Sequence, residues 1–84
     1  MTADQIETAV REVLADVTPR AASAERTTDL LDDLGLDSIT VLELVSALEE
    51  RFEITVPLNE LAQIRTVGAV IDDVSRRLHQ GSKA

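Results

Sequence analysis

Residues 34–52 read LGLDSITVLELVSALEERF and contain a clear helical pattern of apolar residues. Its apolar residues recur at offsets of 0, 3, 4, 7 and 11, the spacing that places side chains on one face of a helix. Gly35 supplies a turn just before the pattern begins. The spacing therefore predicts a helix from about Ser38 to Phe52 whose core stripe is Val41, Leu44, Val45, Leu48 and Phe52.

Helical spacing also marks both ends of the chain. Near the start, Thr2 and Gln5 fit a capping box, and Pro19 ends the helix because the residue before a proline avoids the α region. Near the end, Thr66 is the predicted N-cap of the last helix. The predicted core residues of these two helices are Ile6, Val10, Val13, Leu14 and Val17, followed by Val67, Val70, Ile71, Val74 and Leu78.

Two connections join the three helices. In the long loop over residues 18–36, Thr28 or Asp29 is expected to start a single helical turn. A short helix is predicted from about Leu58 to Gln63.

The predicted fold is an all-α four-helix bundle, three main helices plus one short helix, with a long loop between helices 1 and 2. We expect one domain over residues 1–84, with a core of about residues 3–78 and a flexible tail over residues 79–84. The connections are expected to pack on the bundle through Leu30, Leu31, Leu34, Leu36, Leu61 and Ile64.

Composition narrows the classes of function. Sixteen acidic side chains against eight basic ones give a net charge of −8, which argues against nucleic acid as a partner because phosphate binding needs clustered Lys and Arg. The chain has no cysteine, which excludes a disulfide framework and a thiolate metal site. No segment approaches the roughly 18 apolar residues of a membrane span. We therefore expect a soluble cytoplasmic protein that does not bind a membrane.

The Ser38–Phe52 helix carries a second, smaller apolar patch outside its core stripe. In helical projection Ile39 falls almost opposite the stripe, and Leu42 lies about a quarter-turn or slightly more from it. Half of the sixteen acids lie within residues 29–53, and an acidic border around a small apolar centre is typical of a surface that docks basic partners. A solvated face is the alternative, since scattered exposed apolar residues are normal. The remaining members of the predicted surface are Ser46, which lies between the two apolar residues, and Glu43 and Glu50 on the flank.

Asp37 and Ser38 stand at the predicted start of this helix. Both residue types are favoured there because their side-chain oxygens accept hydrogen bonds from unpaired amides. The same position also favours a phosphate, through amide groups and the positive end of the helix dipole, by roughly 0.3–1 kcal/mol at an exposed site. These two residues alone leave capping and phosphate attachment both open.

The sequence does not support a Ser-His-Asp catalytic relay or a calcium-binding loop. The only histidine, His79, lies in the last turn of the final helix, and Ser38 is not in a G-x-S-x-G elbow, so a Ser-His-Asp relay is not supported. A calcium loop beginning at Asp32 fails because Leu34 and Leu36 fall where oxygen ligands are required. We therefore predict no catalytic residue and no metal ligand.

A longer pattern surrounds the Asp37-Ser38 pair. It consists of LGLDSI at 34–39, EL at 43–44, LEERF at 48–52, I-x-V-P at 54–57 and TV at 66–67. In this pattern and its spacing, the chain resembles acyl and peptidyl carrier proteins over roughly residues 3–78. A bundle with a long first loop matches the fold of that family.

The resemblance implies a carrier rather than an enzyme. A phosphopantetheinyl transferase, using coenzyme A and magnesium, would attach a covalent 4′-phosphopantetheine arm to Ser38, and Asp37 would support recognition by that transferase. The terminal thiol of the arm would hold acyl or aminoacyl groups as thioesters. The implied partners are the transferase and acyl-loading and condensing enzymes with basic docking surfaces, and we expect a monomer. By position, the candidate partner contacts are Ile39, Leu42, Glu43, Ser46 and Glu50.

Several residues depart from the carriers of fatty acid synthesis. Ile39 and Thr40 stand where those carriers commonly have Leu and Asp, and Ser46 stands where they often have Met. Arg51 interrupts the acidic run. These departures favour a free-standing bacterial carrier of polyketide or nonribosomal peptide biosynthesis. Two alternatives stay open: a carrier of primary fatty acid synthesis, and a helical interaction module without a prosthetic arm.

Overall fold

Three long helices and two short 3₁₀ helices form the protein. The computed structural model describes residues 2–81, and within them it has no strand, only a single antiparallel bridge between Asp29 and Thr66. The predicted all-α fold is confirmed, including the three main helices and the short one before the last. In chain order the elements are α1 (Ala3–Val17), a first 3₁₀ helix (Pro19–Ser23), α2 (Ser38–Phe52), a second 3₁₀ helix (Leu58–Gln63) and α3 (Val67–Gly81).

The predicted caps of α1 and α3 are present. The Gln5 amide donates to Thr2 Oγ1 at 3.2 Å and the Thr2 amide donates to Gln5 Oε1 at 2.9 Å, which completes the capping box. α1 stops at Val17, two residues before Pro19. At α3, the Ala69 amide donates to Thr66 Oγ1 at 3.1 Å. These side chains satisfy amides that have no partner inside the helix.

The long helices bury their predicted stripes in one apolar core. Val10 and Leu14 of α1 and Val67 of α3 are fully buried, and Leu44 of α2 is 1% exposed. Full burial of such a side chain is worth roughly 1.5–3 kcal/mol, so the stripes dominate the packing. At the edges of the core the predicted residues are only partly buried, and these are Val17, Val41 and Leu78.

The loop between α1 and α2 is held by its own hydrogen bonds. Asp29 begins a turn, one of the two positions predicted, and its Oδ1 accepts from the amides of Leu31 and Asp32 at 2.9 and 2.8 Å. The Leu30 amide donates to the Arg65 carbonyl at 2.8 Å, which ties the turn to the segment before α3. The loop therefore has a defined position beside the start of α2.

Two details of this loop differ from the prediction. Leu30, Leu34 and Leu36 are buried as expected, but Leu31 is 44% exposed. Leu30 and Leu31 are adjacent in one turn, so when Leu30 takes the core position its neighbour points outward. The first 3₁₀ helix was not predicted because its five residues are too few to show a period, although it buries Ala21 completely.

The second 3₁₀ helix is fastened to α3 by charge as well as by packing. Leu61 and Ile64 are half-buried rather than buried, because this short helix lies at the edge of the core. Arg77 of α3 donates to Asp73 at 2.7 Å, to Glu60 at 2.8 Å and to the Thr55 carbonyl at 3.0 Å. These contacts link α3 to the connection that follows α2.

The end of α3 differs from the prediction. The helix continues to Gly81, so the expected tail does not begin at residue 79. Nothing in Leu78-His79-Gln80 breaks a helix, and Gly81 is the first residue there with poor helix propensity. Residues 82–84 of the predicted tail lie outside the described residues. No helix among the described residues is long and apolar enough to span a membrane.

Candidate functional site

Ser38 is the first residue of α2 and is exposed. Its approach is shaped by Gly35, whose φ of 69° lies in the left-handed region that favours glycine. Leu34 and Leu36 on either side of that glycine are buried, so the turn is anchored to the core. The Ser38 hydroxyl makes no hydrogen bond to any residue in the described part of the chain. The hydroxyl is therefore presented on a fixed segment and is free to react.

Asp37 is the N-cap of α2. Its Oδ1 accepts a hydrogen bond from the Thr40 amide at 2.8 Å, in the geometry of a side-chain cap. This hydrogen bond is the main reason that the pKa of Asp37 lies below its ordinary value, with a further contribution from the Thr40 side chain. The carboxylate therefore stays ionised at neutral pH next to Ser38.

The five predicted contact residues share the exposed side of α2. Ile39 is 70% exposed and Leu42 is 44% exposed, values that leave large apolar surface in water. Glu43 and Glu50 make no ion pair with any residue in the range 2–81. We call this set the docking face; its members are Ile39, Leu42, Glu43, Ser46 and Glu50, all of them exposed.

A groove opens next to Ser38, with a volume of about 450 Å³. We call it the side groove. Three segments form it: the start of α2, the turn after Asp29, and the second 3₁₀ helix with the residues that follow it. Its lining is mostly apolar and consists of Leu30, Leu31, Ser38, Val41, Leu42, Leu61, Ala62, Ile64 and Arg65.

The core behind the side groove is closed. A void lined by Val41, Leu44 and Val74, among others, measures only about 10 Å³, roughly the space of one water molecule. The side groove is thus the larger of the two spaces near Ser38, and it lies at the surface.

Two residues beside this site were not predicted to belong to it. Leu31 and Arg65 line the side groove next to Ser38. No local pattern identifies them, because their placement depends on how the two connections pack beside α2. The adjacent pair Leu30-Leu31 was the one available signal, since neighbouring side chains in a tight turn seldom face the core together.

Comparison with known proteins identifies the family. The family model described as a phosphopantetheine attachment site (PP-binding) matches residues 8–74. The chain belongs to this family of carrier proteins. Its cofactor is 4′-phosphopantetheine, as predicted, and the exposed, unbonded Ser38 hydroxyl beside an apolar groove is a site that such an arm fits.

The chain is similar to two known acyl carrier proteins. It is 39% identical over 80 residues to an acyl carrier protein of Exiguobacterium sibiricum, a match that covers 93% of this chain and 100% of the relative. It is also similar to the solution structure of the apo doublet acyl carrier protein from prodigiosin biosynthesis, with a TM-score of 0.74 and 27% identity. That second match covers 88% of this chain but 36% of the doublet, so the carrier spans about a third of it.

Proposed function

We propose that Ser38 is the residue that carries the phosphopantetheine arm, and that the protein tethers acyl or aminoacyl intermediates on it as thioesters and delivers them to partner enzymes. The observation that carries the proposal is the Ser38 hydroxyl, which is exposed and unbonded at the start of α2. The terminal thiol of the arm supplies the thioester, which no cysteine of the chain could provide. The carrier performs no catalysis of its own.

Attachment to Ser38 follows a simple exchange. The Ser38 oxygen forms a bond to the phosphorus on the pantetheine side of coenzyme A, and the P–O bond of the diphosphate breaks, so that adenosine 3′,5′-bisphosphate leaves. The hydroxyl proton is released to solvent. The phosphopantetheinyl transferase and its magnesium ion supply the catalysis. Asp37 keeps the start of α2 in place through its bond to the Thr40 amide, so that Ser38 is presented in one geometry.

Delivery uses the docking face. Glu43 and Glu50 lack ion-pair partners among the described residues, so their charge can attract basic surfaces on the transferase and on acyl-loading and condensing enzymes. Ile39 and Leu42 supply the apolar contact at the centre of such an interface. The predictions of a monomer and of a cytoplasmic location stay predictions.

We assign the carrier to polyketide or nonribosomal peptide biosynthesis. Ile39, Thr40 and Ser46 favour this assignment over primary fatty acid synthesis, and a structural relative from prodigiosin biosynthesis supports it. The alternative is a carrier of primary fatty acid synthesis, which the similarity to a general acyl carrier protein favours.

The experiment is an intact-mass assay after incubation with coenzyme A, magnesium and a promiscuous transferase. The parent should gain the mass of one phosphopantetheine, and Ser38→Ala should gain none. Ser23→Ala, which removes an exposed serine of the first 3₁₀ helix outside the docking face and the side groove, is the control and should be loaded like the parent. If the folded parent gained no mass while a control carrier was loaded, the arm-less interaction module would replace this proposal.

A further inference from the structure

Ser38 and the positively charged Arg65 line different walls of the side groove. Ser38 belongs to α2, whereas Arg65 follows the second 3₁₀ helix. All other groove residues are apolar. An arm attached to Ser38 would therefore find apolar walls for its chain and a single positive charge on the other side.

The backbone of Arg65 is fixed at this position. Its carbonyl accepts a hydrogen bond from the Leu30 amide at 2.8 Å, and the next residue, Thr66, forms the bridge with Asp29. The Arg65 side chain, by contrast, is 60% exposed. A fixed backbone with an exposed guanidinium keeps the charge at the groove while leaving its donors accessible.

Arg65 is only loosely engaged by the protein. Its guanidinium lies 3.6 Å from Asp29 and 3.9 Å from Asp32, distances too long for hydrogen bonds. Asp29 does not depend on it, because two backbone amides already donate to the Asp29 carboxylate. Within residues 2–81 every other arginine donates at least one side-chain hydrogen bond, namely Arg11, Arg20, Arg26, Arg51, Arg76 and Arg77. Arg65 can thus exchange a weak contact for an incoming anion.

We propose that Arg65 binds the free carboxylate of an acyl group carried on the arm, so that the side groove distinguishes cargo with a terminal carboxylate from neutral cargo. This inference rests on the proposed attachment at Ser38. A planar guanidinium with several donors suits a carboxylate, which it can hold through two parallel hydrogen bonds. The apolar lining accommodates the uncharged chain between the attachment point and that carboxylate.

A phosphodiester bonded to Ser38 is the other anion that Arg65 could bind, since both residues line the side groove. The phosphodiester is held at α2 by its bond to Ser38, whereas the cargo lies at the free end of a flexible arm and can take up more positions in the groove. The two assignments also differ in what they predict. A phosphodiester contact would act on every cargo equally, and a carboxylate contact would act on carboxylated cargo alone.

The test compares malonyl and acetyl groups, loaded onto Ser38 by the transferase from their coenzyme A thioesters. Each thioester is cleaved with hydroxylamine in the parent and in Arg65→Gln, and the rates are followed by intact mass. Arg65→Gln should speed cleavage of the malonyl form by about two- to five-fold, the range expected for a partly exposed charge pair, and leave the acetyl form unchanged. Arg20→Gln, which removes an exposed arginine outside the groove, should change neither rate.

Each other outcome overturns the inference in a recognisable way. If Arg65→Gln accelerated cleavage of both cargoes equally, Arg65 would contact the arm rather than the cargo. If it accelerated neither, Arg65 would contact neither of them. Failure of the initial mass gain would instead refute attachment at Ser38, so the two proposals fail separately. Circular dichroism of Arg65→Gln, expected to match the parent, confirms that the variant is folded.

Discussion

At the scale of single residues, Asp37 and Ser38 are both residue types that can cap α2, but only Ser38 has a hydroxyl to which a phosphate could be attached. The sequence left open whether the pair caps the helix or holds a phosphate. In the structure Asp37 makes the capping bond to the Thr40 amide, and the Ser38 hydroxyl has no hydrogen-bond partner among the described residues. The two interpretations are therefore compatible, because each falls on a different residue.

The Asp37 cap predicts a pH dependence of stability. The bond from Thr40 lowers the pKa of Asp37 in the folded protein, so the carboxylate stabilises the fold above its ordinary pKa of about 3.9. That contribution is lost as the pH falls through the lower folded pKa. Urea unfolding measured between about pH 5 and pH 2 should show the parent losing stability faster than Asp37→Asn.

Asparagine is the suitable replacement because it caps helices about as well as aspartate but carries no charge. At neutral pH the two proteins should unfold at similar urea concentrations. The difference between their pH profiles isolates Asp37 from the other acids. Parallel profiles across the acidic range would mean that the ionised cap contributes nothing.

At the scale of elements, α2 serves two surfaces at once. One face contributes Leu44 and Leu48 to the core, and the other exposes Ile39 and Leu42 around Ser38. Ile39 and Leu42 lie outside the buried stripe of the helix, so they are available for contact with a partner. The helix therefore combines a structural face with the docking face.

A pair of leucine substitutions tests this division. Leu44→Ala removes a side chain that is 1% exposed and should lower the free energy of unfolding by about 2–5 kcal/mol. Leu42→Ala, on the same helix but 44% exposed, should lower it by less than about 1 kcal/mol. Urea unfolding followed by circular dichroism measures both, since the chain has no tryptophan. Equal losses would contradict the assignment of two faces.

The elements also show how far the sequence predicts this structure. The three long helices were predicted, and α2 with the correct bounds Ser38–Phe52, because eleven or more residues reveal the helical period. The first 3₁₀ helix and the exposure of Leu31 were not predicted, since both depend on packing between segments distant in sequence. The position of Arg65 beside the side groove could not be predicted for the same reason. It depends on the hydrogen bond from the Leu30 amide to the Arg65 carbonyl, which joins segments distant in sequence.

At the scale of the whole molecule, most of the described arginines are paired with acids, whereas many of the acids have no ion pair among the described residues. The arginines pair largely with acids of the bundle's other elements, as Arg26 does with Glu7 and Asp72. Glu43 and Glu50 are left uncompensated within the described residues, in a protein of net charge −8. Other acids, such as Asp4, Asp16 and Glu53, are also unpaired among the described residues, and Glu43 and Glu50 are the part of this charge that lies on the docking face, where it can steer a basic partner.

Reversal of these charges should slow loading. Glu43→Lys with Glu50→Lys should lower kcat/KM of the transferase about ten-fold at low salt, and the loss should shrink as salt screens the charges. A matched control is Asp4→Lys with Glu25→Lys, which changes the net charge equally at two exposed acids that lie outside α2 and, like Glu43 and Glu50, make no ion pair with another described residue. If the control slowed loading as much, net charge rather than the docking face would govern the encounter.

The position of the arm on the chain shows directly whether Ser38 carries the cargo. Trypsin leaves residues 27–51 in one peptide that holds both Ser38 and Ser46, and cleavage after Glu43 separates the two serines. Tandem mass spectrometry of the loaded protein after both cleavages should find phosphopantetheine on the Ser38 fragment alone. An arm on the Ser46 fragment, or a loaded protein with an unmodified Ser38 fragment, would contradict the central claim that Ser38 carries the cargo.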